Sequence, residues 1–277
     1  MINNELLQDI SDNLATRFER DLFVASIENI TNSTSLIRFN NFAYAIRELT
    51  RHVLKRLAPD NEVLNSKWYK NETDTENRIS RKQRIYYAIH GGLLPTYVQN
   101  TLNIDVESFY KNFRDIINNL SKYTHIEKET FGIDEASTYL YANETLETLV
   151  ELFDFIEKTK ETLAEALFEK AISALVDSII EETFSSIDCL ATSHELEYVH
   201  TETLGLQYID HKFIYFEAIG ELNYIMQWGS NSDVSKGDGL VSSNAFPFKC
   251  KLRSNVLNPD EIIVDIDTIE INTDEDE

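Results

Sequence analysis

The sequence predicts an α+β protein, a helical N-terminal bundle followed by a small, mostly antiparallel β domain. Three observations carry this. Apolar residues recur near a 3.6-residue period through the first two thirds of the 277 residues. From about residue 194, polar and apolar residues alternate, with β-branched and aromatic side chains dominating. Turn-like segments, where most of the later glycines lie, separate those alternating runs. The boundary falls at residue 186, giving a helical domain over 1–186 and a β domain over 187–277. Its acidic tail, "NTDEDE", is expected to fray.

The elements follow in order. Residues 4 to about 30 carry Leu6, Ile10, Leu14, Phe18, Leu22 and Ile27 on one helical stripe. "NNFAYAIRELTRHVLKRLAPD" is the next helix. Asn40 or Asn41 is its N-cap, Ala45, Leu49, Val53 and Leu57 form its apolar face, and Pro59 is its stop. A polar loop from 60 to 78 holds Trp68 and Tyr69. Ser80 caps "RKQRIYYAIH", and Gly91-Gly92 ends it. Asp105 caps "VESFYKNFRDIINNLSKYTHI". Two helices rich in Leu, Glu and Ala are expected over 134–158 and 160–184, as a hairpin or a dimerising arm. "HELEYVHTE", "LQYIDHKFIYFEAI", "ELNYIMQW", "AFPFKCKLR" and "EIIVDIDTIEI" read as about five strands.

The composition, 42% hydrophobic and 26% charged, is that of a folded globular chain. No apolar run reaches 18 residues, so no membrane span is expected. The start "MINNELLQDISDN" lacks the pattern of a secretion leader. Cys189 and Cys250 have no ligand-like spacing, and unpaired thiols suit a reducing cytoplasm.

The net charge of −23 argues against wholesale nucleic-acid binding. The charge is uneven, however. Residues 38–84 hold eleven Lys or Arg against six Asp or Glu, a local +5 in a chain whose remainder carries −28. Such an island is the feature a phosphate site leaves, although the wet face of an ordinary helix leaves it too.

Within the island, Arg47 and His52 form R-x4-H. A guanidinium clamps phosphate bidentately and stays charged. Imidazole titrates near neutrality and serves general acid–base chemistry. The spacing resembles the signature of HEPN ribonucleases, helical domains that cut RNA without a metal, commonly across a dimer. That resemblance implies Arg47 as phosphate clamp, His52 as proton carrier, and no cofactor. Residues five apart on a helix point about 140° from each other, so a helix end or a second protomer has to bring the two together. HEPN motifs place a small polar residue after the arginine, where this chain has Glu48. "LSKYTHIEKETF" resembles a Leu-Ser-x-x-x-His segment of such domains and adds His125. Arg38, Arg51 and Arg56 would position the backbone of the substrate.

"FAYAIRELTRHVLKRLAPD", "WY", "RKQRIYYAIHGGL" and "LSKYTHIEKETF", with "GSNSDVSKGDG" and "FPFKC" in the later β segment, resemble more broadly a bacterial defence-associated family of pPIWI-associating nucleases. This resemblance covers most of the chain. It implies an anti-phage effector, expected to act as a metal-independent RNase, with RNA and a phage or same-locus protein as partners and a homo-oligomeric state. The competing expectation is a non-enzymatic sensor or adaptor whose β domain grips a protein.

Other constellations are weaker. His194 and His200 in "SHELEYVHTE" share a strand face but stand roughly 20 Å apart, too far for one metal. Asp233 and Asp238 lie in a polar, glycine-rich run where Asn231, Asp233 and Ser235 begin a calcium-loop pattern that fails at its sixth position, Lys236, and a long hairpin loop is expected instead. Glu217 and Glu221 lack the lysine motif of metal nucleases. No Walker, dinucleotide or serine-hydrolase signature is present.

Overall fold

The structure, a computed structural model, describes residues 1–72 and 74–273. The expected fraying of the acidic end falls, over 274–277, outside the described residues. The architecture is α+β: helices α1 to α9 precede an antiparallel sheet in the order β1-β2-β3-β4. No helix among the described residues is long and apolar enough to cross a membrane. The chain divides into two compact units, 1–160 and 161–277.

The single N-terminal helix expected from the sequence is two: α1 (Asn4–Asn13) and α2 (Arg17–Thr31). Thr16 and Glu19 form a capping box that restarts the chain as a new helix. The break resets the phase of the stripe. Ile10 and Leu14 are buried as expected, but Phe18 is exposed, and Phe23 and Ile30 take the core positions.

Helix α3 (Arg38–Leu57) begins two residues before the expected asparagine cap, with no side-chain cap at Ile37. Asn40 is buried instead, donating through Nδ2 to the Tyr123 carbonyl. Ala45, Leu49 and Val53 lie inward with Phe42, Ile46 and Leu54. Pro59 opens a short helix, α4 (Asp60–Asn65), within the segment expected to be loop. Trp68 and Tyr69 pack on Ala58, Val63 and Tyr87.

Ser80 caps α5 (Arg81–His90) in a box with Gln83, and Gly91 ends it with φ of 59°, a left-handed value that glycine adopts without strain. The short α6 (Pro95–Asn100) follows, and Asp105 caps α7 (Val106–Lys122). Within this first unit α3 packs on α2, α5 and α7.

The two helices expected over 134–184 are one, α8 (Glu135–Ile180), 46 residues long. No glycine or proline occurs between Gly132 and Gly205 to break it. Thr159, at the expected break, is buried and returns its hydroxyl to the Phe155 carbonyl. Helix α8 runs through the division between the units. After α9 (Ser185–Asp188), the second unit builds its sheet.

The five expected strands are four long ones: β1 (Ser193–Ile209), β2 (Phe213–Trp228), β3 (Leu240–Asn255) and β4 (Asn258–Ile271). The first turn lies inside "LQYIDHKF", where Asp210 Oδ1 accepts from the amides of Lys212 and Phe213. Gly220 does not interrupt β2. It is the point of closest backbone approach, where a Cβ would stand 2.0 Å from the His200 carbonyl oxygen. Among the described residues strand β1 pairs only with β2, and it carries three register shifts. Ile214, Phe216, Ala218, Leu222, Tyr224 and Met226 of β2 are buried, as are Phe248, Cys250 and Leu252 of β3. The stripe Leu163, Leu167, Ala171, Leu175 and Ile179 of α8 is buried too, and an ion pair from Lys170 to Asp260 ties this stretch to the sheet. The β2–β3 connection, expected as a loop, contains α10 (Asn231–Lys236), capped by Ser230 and Asp233.

Candidate nucleic-acid interface

The hydrophobic stripe of α3 leaves its other positions to polar residues. Arg47, Arg51 and Lys55 repeat every four residues and therefore share a face. On α5, Arg81 and Arg84 are three apart and share another. Packing of α3 against α5 and α7 turns these two faces toward one cleft of about 310 Å³. Its walls carry Arg47, Arg51, Lys55, Arg81 and Arg84. Its apolar lining is Leu54, Ile79 and Ile117, and Glu48 is the one carboxylate in the wall among the described residues.

The electrostatics of the cleft are unbalanced. Arg81 is exposed overall, yet its guanidinium is partly withdrawn from water. That desolvation, and then the charge of Arg47, lower its pKa. Two cations held together without a shared carboxylate attract an anion with two acceptor oxygens. Arg47 Nη1 donates to Thr124 Oγ1 at 3.2 Å, a neutral partner that leaves the charge uncompensated. Arg51 is paired with Glu48 at 2.9 Å, and Arg84 with Asp60 at 2.7 Å and the Ala58 carbonyl. Arg47, Lys55 and Arg81 make no ion pair among the described residues, while Arg51 and Arg84 are tethered at the edges.

His52 lies outside this cleft wall. Its ring meets Phe18 of α2 edge-on at 4.8 Å, while Arg47 turns toward the end of α7. The 140° between them on α3 is not closed within one chain. Arg51 links the two regions, because its Nη2 stands 2.9 Å from His52 Nε2. A guanidinium has no acceptor, so Nε2 must accept and the neutral ring carries its proton on Nδ1.

The remaining sequence-predicted residues are elsewhere. Arg38 is buried, with its guanidinium 5.5 Å over the Tyr139 ring. Arg56 pairs at 2.9 Å with Glu19, itself 2% exposed, and donates to the Asn13 carbonyl. His125 is exposed, and its carbonyl accepts from Thr130. Its neighbour Thr124, not His125, meets α3, accepting from Arg47. Lys55, Arg81 and Arg84 were visible in the basic island but not as a site. Their signal is the matched spacing on two helices, which becomes one cleft only through packing.

In the β unit, His194 and His200 lie on opposite faces, not one. The register shift between Leu196 and Tyr198 reverses the alternation, so His194 pairs with Met226 and His200 with Glu221. His194 instead meets Asp188 at 3.3 Å. Asp233 serves as the capping residue of α10, and Glu217 pairs with Lys249 at 3.1 Å. No group of three His, Cys, Asp or Glu among the described residues could hold a metal ion.

Two family models match the chain. Both are described as predicted pPIWI-associating nuclease, one over residues 11–149 and the other over residues 156–275. No curated protein and no solved structure gives a match.

Proposed function

Because the chain belongs to the family of predicted pPIWI-associating nucleases, we propose that it cleaves RNA phosphodiesters at the α3–α5 cleft as an effector of anti-phage defence. The observation that carries this reading is the convergence of Arg47, Arg51, Lys55, Arg81 and Arg84 on one cleft in a chain of net charge −23. Arg47 and Arg81 grip the scissile phosphate. Lys55, Arg51 and Arg84 follow the neighbouring backbone.

RNA carries its own nucleophile. The 2′-hydroxyl oxygen attacks phosphorus, the bond from phosphorus to the 5′ oxygen breaks, and a cyclic phosphate and a 5′-hydroxyl result. His52 takes the 2′-hydroxyl proton on Nε2, and the 5′ oxygen takes a proton from water. In the single chain Nε2 is occupied by Arg51. A phosphate that draws Arg51 into the cleft releases it. The angle between Arg47 and His52 is closed by a second protomer, each copy lending His52 to the Arg47 cleft of the other.

Arg47→Ala and His52→Ala test this. Each abolishes RNA cleavage without lowering the melting temperature. Co-expression of the two inactive variants restores about a quarter of the activity, because half the dimers are mixed and each mixed dimer holds one intact composite site. Cleavage retained in both single variants rejects the assignment.

A protein-binding role has its own observation in the β unit. Ile219 and Ile225 of β2 are exposed. So are Tyr198 and Tyr208, Val241, and Ile263, whose register partners place them on the same side of the sheet as Ile219 and Ile225. Exposed apolar residues interspersed with charges such as Glu217 and Lys249 on the same side suit a phage or same-locus protein. A stoichiometric protein partner co-purifying from infected cells, together with no nuclease activity, favours this reading over the first.

A further inference from the structure

On the side of α5 turned away from Arg81 and Arg84 lies a second pocket of about 380 Å³, walled by Tyr86, His90, Pro95, Val98, Gln99, Ile104, Asp105, Val106 and Glu107. His90 is 0% exposed, and neither ring nitrogen has a hydrogen-bond partner among the described residues. A buried imidazole left without partners forfeits its hydrogen bonds to water and gains nothing in return. Burial pushes its pKa down to about 4, and the backbone groups of His90, Gly91 and Leu93 oppose this without closing a hydrogen bond to either nitrogen. The ring is therefore neutral at physiological pH and offers one N–H donor and one lone pair.

The rest of the wall defines what fits. Tyr86 in the wall, and Trp68 behind it, pack edge-on against the His90 ring at 5.8 and 5.5 Å. Trp68 is itself anchored by its indole N–H to the Gly91 carbonyl at 3.0 Å, which holds the helix end and the imidazole in place. Glu107 Oε2 accepts from both Lys82 and the Tyr86 hydroxyl, which leaves Oε1 open. Two cations stand beside this wall: Lys82, which is spent on Glu107 and on the faces of Tyr86 and Tyr110, and Lys111, whose charge acts on both Asp105 and Glu107. Asp105 and Glu107 at the rim are balanced by Lys82 and Lys111, so a phosphate or carboxylate ligand gains no net attraction there. The matching ligand is small, flat and uncharged. It has N–H donors for the open carboxylate oxygen and a mixed donor–acceptor edge for His90 and Gln99.

We infer that this pocket binds a nucleobase bearing an exocyclic amino group, as a free nucleoside or as the unstacked base of a single strand. The volume suits one such ring system. Tyr86, with Val98 and Ile104, supplies its packing surface, and the neutral imidazole reads its edge. The inference stands apart from the cleavage reading, since none of these residues lines the cationic cleft.

Isothermal titration with cytidine, adenosine and uridine tests it on the full chain. Cytidine or adenosine binds, and uridine binds about tenfold more weakly, as the loss of one hydrogen bond to a charged acceptor implies. His90→Phe abolishes nucleoside binding while the melting temperature holds or rises, because an orphaned polar ring becomes an apolar one. Glu107→Gln weakens binding as well. Arg81→Ala leaves nucleoside affinity unchanged, so failure of the nuclease reading and failure of this one are separable. The inference is overturned if no nucleoside binds at millimolar concentration, if His90→Phe binds as the parent does, or if spermidine occupies the pocket and the nucleosides do not.

Discussion

Arg47 on α3 and Arg81 on α5 line one cleft, and the charge of the first lowers the pKa of the second. Two like charges this close repel, and an anion bound between them relieves the repulsion. The pair costs little while the cleft stays open to water, and it strengthens when an anion enters.

The first prediction follows from that pair. Arg81→Ala lowers affinity for a labelled single-stranded RNA and reduces the salt slope of log affinity by about 1, one phosphate contact. Stability is unchanged or slightly higher, since a like-charge repulsion is removed. Fluorescence anisotropy between low and moderate salt measures it. An unchanged slope removes Arg81 from the interface.

Arg56 is predicted to act on stability instead. Its partner Glu19 is buried and also accepts from the amides of Ala15 and Thr16. Arg56→Ala strands that carboxylate and costs on the order of 3 kcal/mol. Burial raises the pKa of Glu19, but the Arg56 and backbone hydrogen bonds outweigh it, and the net direction is down. A carboxylate held below its unfolded value stabilises the fold above that value. The contribution is then lost as pH falls through the folded pKa. Urea titrations at pH 7 and pH 3 show the parent losing more stability than Glu19→Gln on acidification. Equal losses refute the assignment.

Gly220→Ala is predicted to disrupt the β unit. Its Cβ would meet the His200 carbonyl at 2.0 Å and Thr201 Cα at 2.9 Å, both backbone atoms that cannot rotate away. The cost exceeds about 2 kcal/mol. The near-ultraviolet circular dichroism of Trp228, whose indole donates to the Leu190 carbonyl, reports it. A variant with parental spectrum and melting temperature contradicts this geometry.

The two thiols are predicted to differ in reactivity. Cys189 is exposed and Cys250 buried. Burial pushes the Cys250 thiol up to about 11, so it stays protonated in the fold. At pH 8 a disulfide reagent titrates one thiol in the native protein and two in denaturant. Because the folded pKa lies above the unfolded one, the stabilisation from this group is full below about pH 9 and fades above it. Rapid native reaction of both thiols rules out the packing described.

Helix boundaries were legible where a cap is written in the residues, as at Ser80 with Gly91 and at Asp105. They were missed where a local signal competed with a longer pattern. Thr16 and Glu19 break an apolar stripe that reads as continuous, and polar residues around Thr159 imitate a boundary inside α8. The alternation revealed the strands, but not the register shift after Leu196 that puts His194 and His200 on opposite faces. For the site, the spacing of Arg47, Arg51 and Lys55 was readable on α3. That Arg81 and Arg84 complete the same cleft depends on how α3 meets α5, which no local pattern encodes. Arg56 and Arg38 show the converse: a cation within the same run can belong to the scaffold.

Strand β1 exposes one side of a 17-residue ribbon to solvent. Its three register shifts interrupt the even spacing of free amides and carbonyls along that margin. A second copy of the ribbon finds no long matching ladder, and the carboxylates of Glu195, Glu197 and Glu202 add mutual repulsion. The β1 margin is therefore a poor template for strand addition by a further chain.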